Sequence, residues 1–181
     1  MTAQLELPCT EPQSDWMQLR SGSPFWPTEP RVQDIRIEDI AHSLSQLCRY
    51  GGHTSEFYSV AQHSVLVARC VPVEHRLWAL LHDAPEAYVV DVPRPLKHQL
   101  QGYKEIENRV MVAVCERFGL PPEMPPIVKR IDDRITADEA LRLMQPLLPG
   151  WQLPEPLNIE VTPWSCSEAK ERFLNMFEAL I

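Results

Sequence analysis

The sequence predicts an all-α domain, a compact bundle of six or seven helices. Three observations support this fold class: the 18 prolines fall in clusters, the stretches between the clusters have apolar residues at helical spacing, and no stretch shows sustained alternation of apolar and polar residues. A chain of 181 residues has the length of one ordinary domain. We therefore expect a single helical domain over 31–181, preceded by an irregular arm over 1–30 that is rich in Pro and Trp.

Six stretches have the helical pattern, and some include the residues that begin or end a helix. Ser59 is the expected N-cap of the second helix, Gly119 is the expected end of the fourth, and Ser165 opens a capping box before the sixth. The expected helices cover 38–49, 60–70, 73–84, 101–118, 126–145 and 165–180. Two short stretches, 57–60 and 157–161, have a weak strand pattern.

Composition excludes several classes of protein. The chain has 17 Lys and Arg against 25 Asp and Glu, a net charge of −8. A negative surface repels polyanions, so we expect neither nucleic acid nor an acidic membrane surface as a partner, although a small phosphate could bind locally. There is no run of 18 apolar residues and no secretory signal, and the five cysteines lack C-x-x-C spacing. These features favour a soluble enzyme or binding domain with reduced thiols, located in the cytoplasm.

Polar residues interrupt the apolar faces of two predicted helices. His63 has Val60 and Val67 at helical spacing, which places its imidazole on the face that should meet the core. His82 and Asp83 end an otherwise apolar helix face. Each feature has an ordinary alternative: a single buried histidine is often a satisfied core residue, and a histidine near a helix C-terminus is favoured by the helix dipole.

The predicted helix over 126–145 offers two adjacent acids, and its periodicity distinguishes them. Asp132 shares a face with Val128 and Ile135, whereas Asp133 shares a face with Lys129 and other polar residues. Burying an unpaired carboxylate is costly, so an inward-facing Asp132 needs a cation. Asp133 needs no such partner.

Together, these residues form a candidate metal site. His63, His82, Asp83 and Asp132 present two imidazoles and two carboxylates inward from three helices. This mixed set of nitrogen and oxygen ligands suits one divalent ion such as Mn²⁺, Fe²⁺, Co²⁺ or Zn²⁺, with Mg²⁺ a further candidate. Helical bundles commonly hold such ions between facing helices.

The order of these ligands resembles the H…HD…D pattern of the HD-domain phosphohydrolase superfamily. The likeness covers roughly residues 35–140, and the block LLHDAPEAYVVDVPRPLK is its most specific part. Within the superfamily, the chain looks most like the small bacterial 5′-deoxynucleotidases and the phage-encoded deoxynucleoside triphosphate triphosphohydrolases. The resemblance implies the all-α HD-domain fold and binding of one metal ion.

The resemblance also implies roles for residues near the ligands. Glu86 and Asp91 match catalytic positions: Glu86 would position or deprotonate the nucleophile, and Asp91 would assist the leaving oxygen or its proton. The alternatives are that Glu86 pairs with Arg94 and that Asp91 caps a turn before Pro93. Arg49 and Lys97 match substrate contacts that would neutralise the phosphate, with solvated surface charges as the alternative. His53, in a turn permitted by glycine, either contacts the phosphate or completes a loop.

The activity expected from the resemblance is hydrolysis of a small nucleotide. The first expectation is a 5′-deoxynucleotidase that releases phosphate from deoxynucleoside monophosphates (dNMPs). One alternative is a triphosphohydrolase that acts on deoxynucleoside triphosphates (dNTPs). Another is a non-catalytic module that senses a metal or a nucleotide. The resemblance further implies a homo-oligomer.

Overall fold

Helices account for most of the structure, a computed structural model that describes residues 15–144 and 146–181. The all-α prediction is confirmed. Six helices correspond to the six predicted stretches, with ends that differ by a few residues, and two single-turn helices are additional. In chain order the helices are α1 (Ile37–Gln46), α2 (Val60–Cys70), α3 (Arg76–Leu81), α4 (Glu86–Val89), α5 (Arg94–Lys97), α6 (Tyr103–Phe118), α7 (Pro126–Leu143) and α8 (Cys166–Glu178).

Helix α2 lies at the centre of the bundle. It packs against α1, α3, α7 and α8, and every residue from 60 to 68 is buried. The hydroxyl oxygen of Ser59 accepts a hydrogen bond from the backbone N–H of Gln62 at 3.1 Å, which confirms Ser59 as the N-cap. Because α2 is buried on all sides, any polar side chain on it must find a partner inside the protein.

The expected ends of two other helices are also confirmed. Gly119 follows α6 with a φ of 67°, the left-handed conformation that glycine adopts without strain. The Ser165 hydroxyl oxygen accepts a hydrogen bond from the backbone N–H of Glu168 and so caps α8. The buried rings of Phe173 and Phe177 then fix α8 to the core.

The predicted helix over 73–84 is wrong at both ends. A 3₁₀ turn covers Val73–His75, α3 covers Arg76–Leu81, and a turn occupies 82–85 before α4. Pro85 has no backbone N–H, and its ring would clash with the Leu81 carbonyl in a continuous helix. His82 and Asp83 therefore lie in a turn rather than on a helix face.

The strand candidates are also corrected. Within the described residues, 157–161 contains no strand, and 57–60 contributes only an isolated bridge between Cys48 and Ser59. The observed antiparallel pair is β1 (Met17–Gln18) with β2 (Pro24–Phe25). These strands are too short for sequence periodicity to reveal them.

This hairpin belongs to the arm that was expected to be irregular. Phe25 is completely buried and stacks on Tyr88 with ring centroids 4.1 Å apart, and Trp26 is also buried. Residues 15–30 therefore pack against the helical core. Residues 1–14 of the arm lie outside the described residues.

Cys48, Cys70, Cys115 and Cys166, the cysteines in the described residues, are free thiols. None of the helices in the described part of the chain has the length and apolar character that crossing a membrane requires.

Candidate metal centre

Three structural segments place the predicted metal ligands beside one another. His63 lies within α2, His82 and Asp83 lie in the turn after α3, and Asp132 lies on α7. Helix α2 packs against both α3 and α7. This packing brings together residues that are far apart in the sequence.

His63, His82 and Asp132 form a cluster that could hold a metal ion. One ligand atom from each of the three residues lies within 4.8 Å of the other two. The Nε2 atom of His63 is 3.1 Å from Oδ1 of Asp132, and the two imidazole centroids are 5.3 Å apart. Two nitrogens and a carboxylate oxygen are typical ligands of first-row divalent ions.

Asp83 borders this cluster. Its Oδ2 atom lies 3.3 Å from Nε2 of His82 and 3.8 Å from Nε2 of His63. Asp83 is not among the three residues whose ligand atoms are all mutually close. Its role as a fourth ligand therefore stays a prediction.

The hydrogen bonds of the two imidazoles show that the site fits a cation. The Nδ1 of His63 is 2.6 Å from Oε1 of Glu139, and the Nδ1 of His82 is 2.7 Å from the carbonyl oxygen of Ala79. Because these oxygens can only accept, each Nδ1 is the donor, and each Nε2 faces the cluster. Both Nε2 atoms are buried and have no hydrogen-bond partner among the described residues. A bound cation would satisfy both atoms.

The charges around His63 and Asp132 also favour a cation at this site. Burial and Arg49 lower the pKa of His63, but the carboxylates of Glu139 and Asp132 outweigh them and raise it to about 9. Burial raises the pKa of Asp132, but the neighbouring His63 holds it far below its ordinary range. In the absence of a metal ion, the imidazolium of His63 provides positive charge to both carboxylates, with Lys129 beside Asp132 and Arg49 beside Glu139.

Glu86 and Asp91 line the same cavity as His82 and Asp132 of the cluster. Glu86 is 8% exposed, and its Oε2 atom has no hydrogen-bond partner among the described residues. Burial, followed by the charges of Asp83 and Asp91, raises the pKa of Glu86 well above its ordinary value. Burial also raises the pKa of Asp91. Buried carboxyl groups with raised pKa values are suited to proton transfer near neutral pH.

The three predicted substrate contacts all line this cavity, at different distances from the cluster. Arg49 is the nearest, with Nη1 3.6 Å from Oδ2 of Asp83. Lys97, at the end of α5, pairs with Glu107 at 2.5 Å. His53 is exposed at the end of a 3₁₀ turn. The structure therefore brings Arg49 to the cluster and leaves Lys97 and His53 on the cavity wall.

The cavity has a volume of about 970 Å³, and part of it is an apolar wall. Such a volume lies within the range of small-molecule sites. The rings of Tyr50 and Trp151 meet edge to face with centroids 6.4 Å apart. The larger apolar or aromatic residues of the wall are Tyr50, Met111, Met124, Met144 and Trp151.

Sequence reasoning missed Glu139, a completely buried carboxylate that contacts His63 and Arg49. A signal for it was present, because Glu139 follows Asp132 by seven positions and Ile135 by four, which places all three on one face of α7. Tyr50 and Tyr58, whose hydroxyls donate to Glu139, could not be identified from the sequence in this way, because their contacts depend on tertiary packing.

Comparison with known proteins identifies relatives of this chain. No family model matches it. The Escherichia coli K12 protein YfdR is 42% identical over 166 residues, which cover 88% of this chain and 92% of YfdR. The Rhodobacter capsulatus protein RCAP_rcc00048 is 43% identical over 125 residues, 64% of each chain. Neither name states an activity.

Proposed function

This chain belongs to the same family as Escherichia coli YfdR, and we propose that it is a divalent-metal-dependent phosphohydrolase that releases phosphate from deoxynucleoside monophosphates. The observation that supports this proposal is that His82 and Asp132 of the cluster line one cavity together with Arg49 and an apolar wall. The cavity therefore offers a place for a cation, a phosphate and a nucleoside.

The residues of the cluster suit this role. His63, His82 and Asp132 would hold the ion, with Asp83 as a fourth ligand. When bound, a divalent ion polarises a phosphoryl oxygen and makes coordinated water more acidic. The unpaired Nε2 atoms of both histidines are the ligand atoms that the structure offers.

Arg49 is the residue placed to bind the phosphate. Its guanidinium Nε donates to Glu139 at 3.1 Å, which holds the group in position, while Nη1 reaches toward Asp83 at the cluster. A planar guanidinium offers several N–H donors to phosphate oxygens. Lys97 adds a second positive charge on the wall of the cavity.

Glu86 and Asp91 supply the proton transfers. In its ionised form, Glu86 accepts a proton from the attacking water, and its raised pKa makes it a stronger base than an exposed carboxylate. Asp91 in its acid form donates a proton to the leaving 5′ oxygen, and its own raised pKa favours that form. One carboxyl group thus acts as the general base for the attacking water, and the other acts as the general acid for the leaving oxygen.

The charge of the cavity favours a monophosphate over a triphosphate. With Asp91 in its acid form, the two positive charges of a divalent ion would leave a net charge of about +2 among the charged groups that line the cavity. This charge matches a phosphate monoester better than a triphosphate with up to about four negative charges. The lining groups are four basic residues, Arg49, Arg94, Lys97 and Lys129, and five acidic ones, Asp83, Glu86, Asp91, Glu107 and Asp132.

The apolar wall supports a nucleoside as the rest of the substrate. Nucleobases stack on aromatic side chains, and Trp151 and Tyr50 present two such rings to the cavity. The choice of deoxynucleotides follows from the sequence resemblance to the bacterial 5′-deoxynucleotidases.

The proposal is tested by loading the purified chain with Mn²⁺ or Co²⁺ and assaying a panel of deoxynucleoside mono- and triphosphates. We expect phosphate release from the monophosphates. Release of triphosphate from dNTPs would instead identify a triphosphohydrolase, and zero turnover with a full complement of metal would identify a sensing module.

A matched pair of variants tests the role of Glu86. Glu86→Gln should keep the metal and lower the turnover by about 10²- to 10⁴-fold. Glu116→Gln changes an exposed residue on α6 that does not line the cavity, and it should retain full activity. Equal activity of the two variants would remove Glu86 from the mechanism.

A further inference from the structure

Glu139 is a buried carboxylate that accepts four hydrogen bonds, two at each oxygen. Its Oε1 atom accepts from Nδ1 of His63 at 2.6 Å and from the hydroxyl of Tyr58 at 2.9 Å. Its Oε2 atom accepts from Nε of Arg49 at 3.1 Å and from the hydroxyl of Tyr50 at 2.8 Å. One oxygen therefore faces a candidate metal ligand, and the other faces the candidate phosphate-binding residue.

These donors keep Glu139 ionised despite its complete burial. The guanidinium of Arg49 and three further donors surround the carboxylate and replace its lost hydration. Because the carboxylate stays charged, it can act only as an acceptor toward all four neighbours.

The contact with His63 fixes the chemistry of the ring. Donation from Nδ1 to Glu139 leaves Nε2 as the atom that faces His82 and Asp132. Metal-binding histidines depend on such contacts for the tautomer and orientation of the ring. Glu139 thereby prepares His63 as a ligand through Nδ1, the ring nitrogen that does not face His82 and Asp132.

The contact with Arg49 fixes the guanidinium in a similar way. Nε of Arg49 is used by Glu139, and Nη2 donates to the hydroxyl oxygen of Thr136 at 3.4 Å. Nη1 is left on the side of Asp83, where the cluster lies. Glu139 and Thr136 thus orient the guanidinium so that Nη1 points toward the cluster.

The backbone of Tyr50 supports this arrangement. Tyr50 has a φ of 57° and Gly51 a φ of 61°, so two consecutive residues are left-handed, which is costly for tyrosine. The single hydroxyl hydrogen of Tyr50 is shared between Oε2 of Glu139 at 2.8 Å and the carbonyl oxygen of Thr136 at 3.2 Å, and these contacts hold the turn in place. The same carboxylate therefore also anchors the turn that begins with Arg49.

We propose that Glu139 is a positioning residue that couples the metal site to the phosphate site, with one oxygen orienting His63 and the other orienting Arg49. The Arg49 half of this inference rests on the proposed function, whereas the His63 half requires only that the cluster binds a metal ion.

The substitution Glu139→Gln tests the coupling. An amide has one accepting oxygen and one N–H₂ group, whereas neither Nε of Arg49 nor the protonated Nδ1 of His63 can accept a hydrogen bond. The amide must therefore lose its hydrogen bond either to His63 or to Arg49. We expect a 10- to 100-fold loss of affinity either for Mn²⁺ or for inorganic phosphate at the metal-loaded chain, both measured by titration calorimetry.

Asp138→Asn is the matched control, because Asp138 is the adjacent buried acid of α7. Asp138 accepts hydrogen bonds from the backbone N–H groups of Leu157 and Ile159 and has no contact with the cluster in the described residues. This variant should lower the stability and leave both affinities unchanged. Wild-type affinities for Mn²⁺ and phosphate in folded Glu139→Gln would overturn the inference.

A measurement on the unmodified chain keeps the test valid if Glu139→Gln fails to fold. In ¹⁵N NMR spectra of the Zn²⁺-loaded chain, we expect His63 with a protonated Nδ1 that exchanges slowly with water. A His63 that is protonated at Nε2, or an Nδ1 proton that exchanges rapidly, would overturn the inference. Neither binding nor NMR requires turnover, so an inactive chain would contradict the proposed function and leave the His63 result intact.

Discussion

Nε2 of His63 on α2 lies 3.1 Å from Oδ1 of Asp132 on α7, which makes an ion pair when the imidazole is protonated. The two atoms are close because their helices pack together, and both belong to the cluster that includes His82. When His63 is neutral, its Nε2 and the carboxylate oxygen are two neighbouring ligand atoms, the arrangement that a metal ion completes.

Asp132 and Asp133 should respond very differently to the same change. Asp132→Asn removes a ligand and should weaken Mn²⁺ binding by at least about 100-fold. Asp133 instead pairs with Lys129 and Arg94 at the surface, so Asp133→Asn should leave the affinity unchanged and cost at most about 1 kcal/mol of stability. Titration calorimetry on both variants checks this prediction, and equal affinities would contradict it.

Metal binding should release a proton at neutral pH. The pKa of His63 is about 9 in the metal-free fold against an ordinary value of 6.5, so the imidazole is protonated at pH 7 and must lose that proton to bind a metal ion. We therefore expect the affinity for Mn²⁺ to rise with pH between 6.5 and 9 and to level off above that range.

The same shift affects the stability of the metal-free fold. Because the folded pKa of His63 is raised, its contribution to the stability is fully present below pH 6.5 and is lost as the pH rises through 9.

The proton that His63 releases on metal binding is measured by calorimetry of Mn²⁺ binding in two buffers with different ionisation enthalpies. Identical binding heats in both buffers at neutral pH would contradict the prediction.

The observed arm contributes to the stability of the fold. Phe25 is completely buried against Tyr88, so Phe25→Ala should lower the free energy of unfolding by about 3–5 kcal/mol. Trp16→Ala, at a side chain that is 57% exposed, should change it by less than about 0.5 kcal/mol. Urea denaturation of both variants measures the difference. Equal midpoints would show that the arm adds nothing to the core.

Trp151 should govern the binding of the nucleoside if the proposed function is correct. Trp151→Ala removes an aromatic ring from the cavity wall, and we expect KM for a deoxynucleoside monophosphate to rise about tenfold with little change in kcat. Leu148→Ala, a control in the same segment, alters a side chain that is 78% exposed and does not line the cavity. Steady-state kinetics that show the same KM for both variants would remove Trp151 from the binding site.

Helical periodicity was sufficient to predict the features of the site that depend on one helix. It placed His63 on the buried face of α2, because apolar residues flank it at helical spacing, and it distinguished Asp132 from Asp133 on α7. In the structure His63 is completely buried, Asp132 belongs to the cluster and Asp133 pairs at the surface, although Lys129 contacts both acids. Such local patterns survive folding because each helix turns a fixed face toward the core.

The features that depend on turns and on tertiary packing could not be predicted in this way. Pro85 ends the helical region early, so a turn presents His82 and Asp83. Arg49 reaches the cluster through a left-handed turn and a contact with Glu139 on a distant helix. Spacing within one helix contains no information about either arrangement.

The most direct test of the central claim is to locate bound Mn²⁺ by anomalous X-ray scattering in crystals grown with the ion. We predict one peak per chain, at bonding distance from Nε2 of His63, Nε2 of His82 and a carboxylate oxygen of Asp132, with Asp83 completing the protein ligands. A cluster without a peak, in crystals where Mn²⁺ binds elsewhere on the chain, would contradict the account.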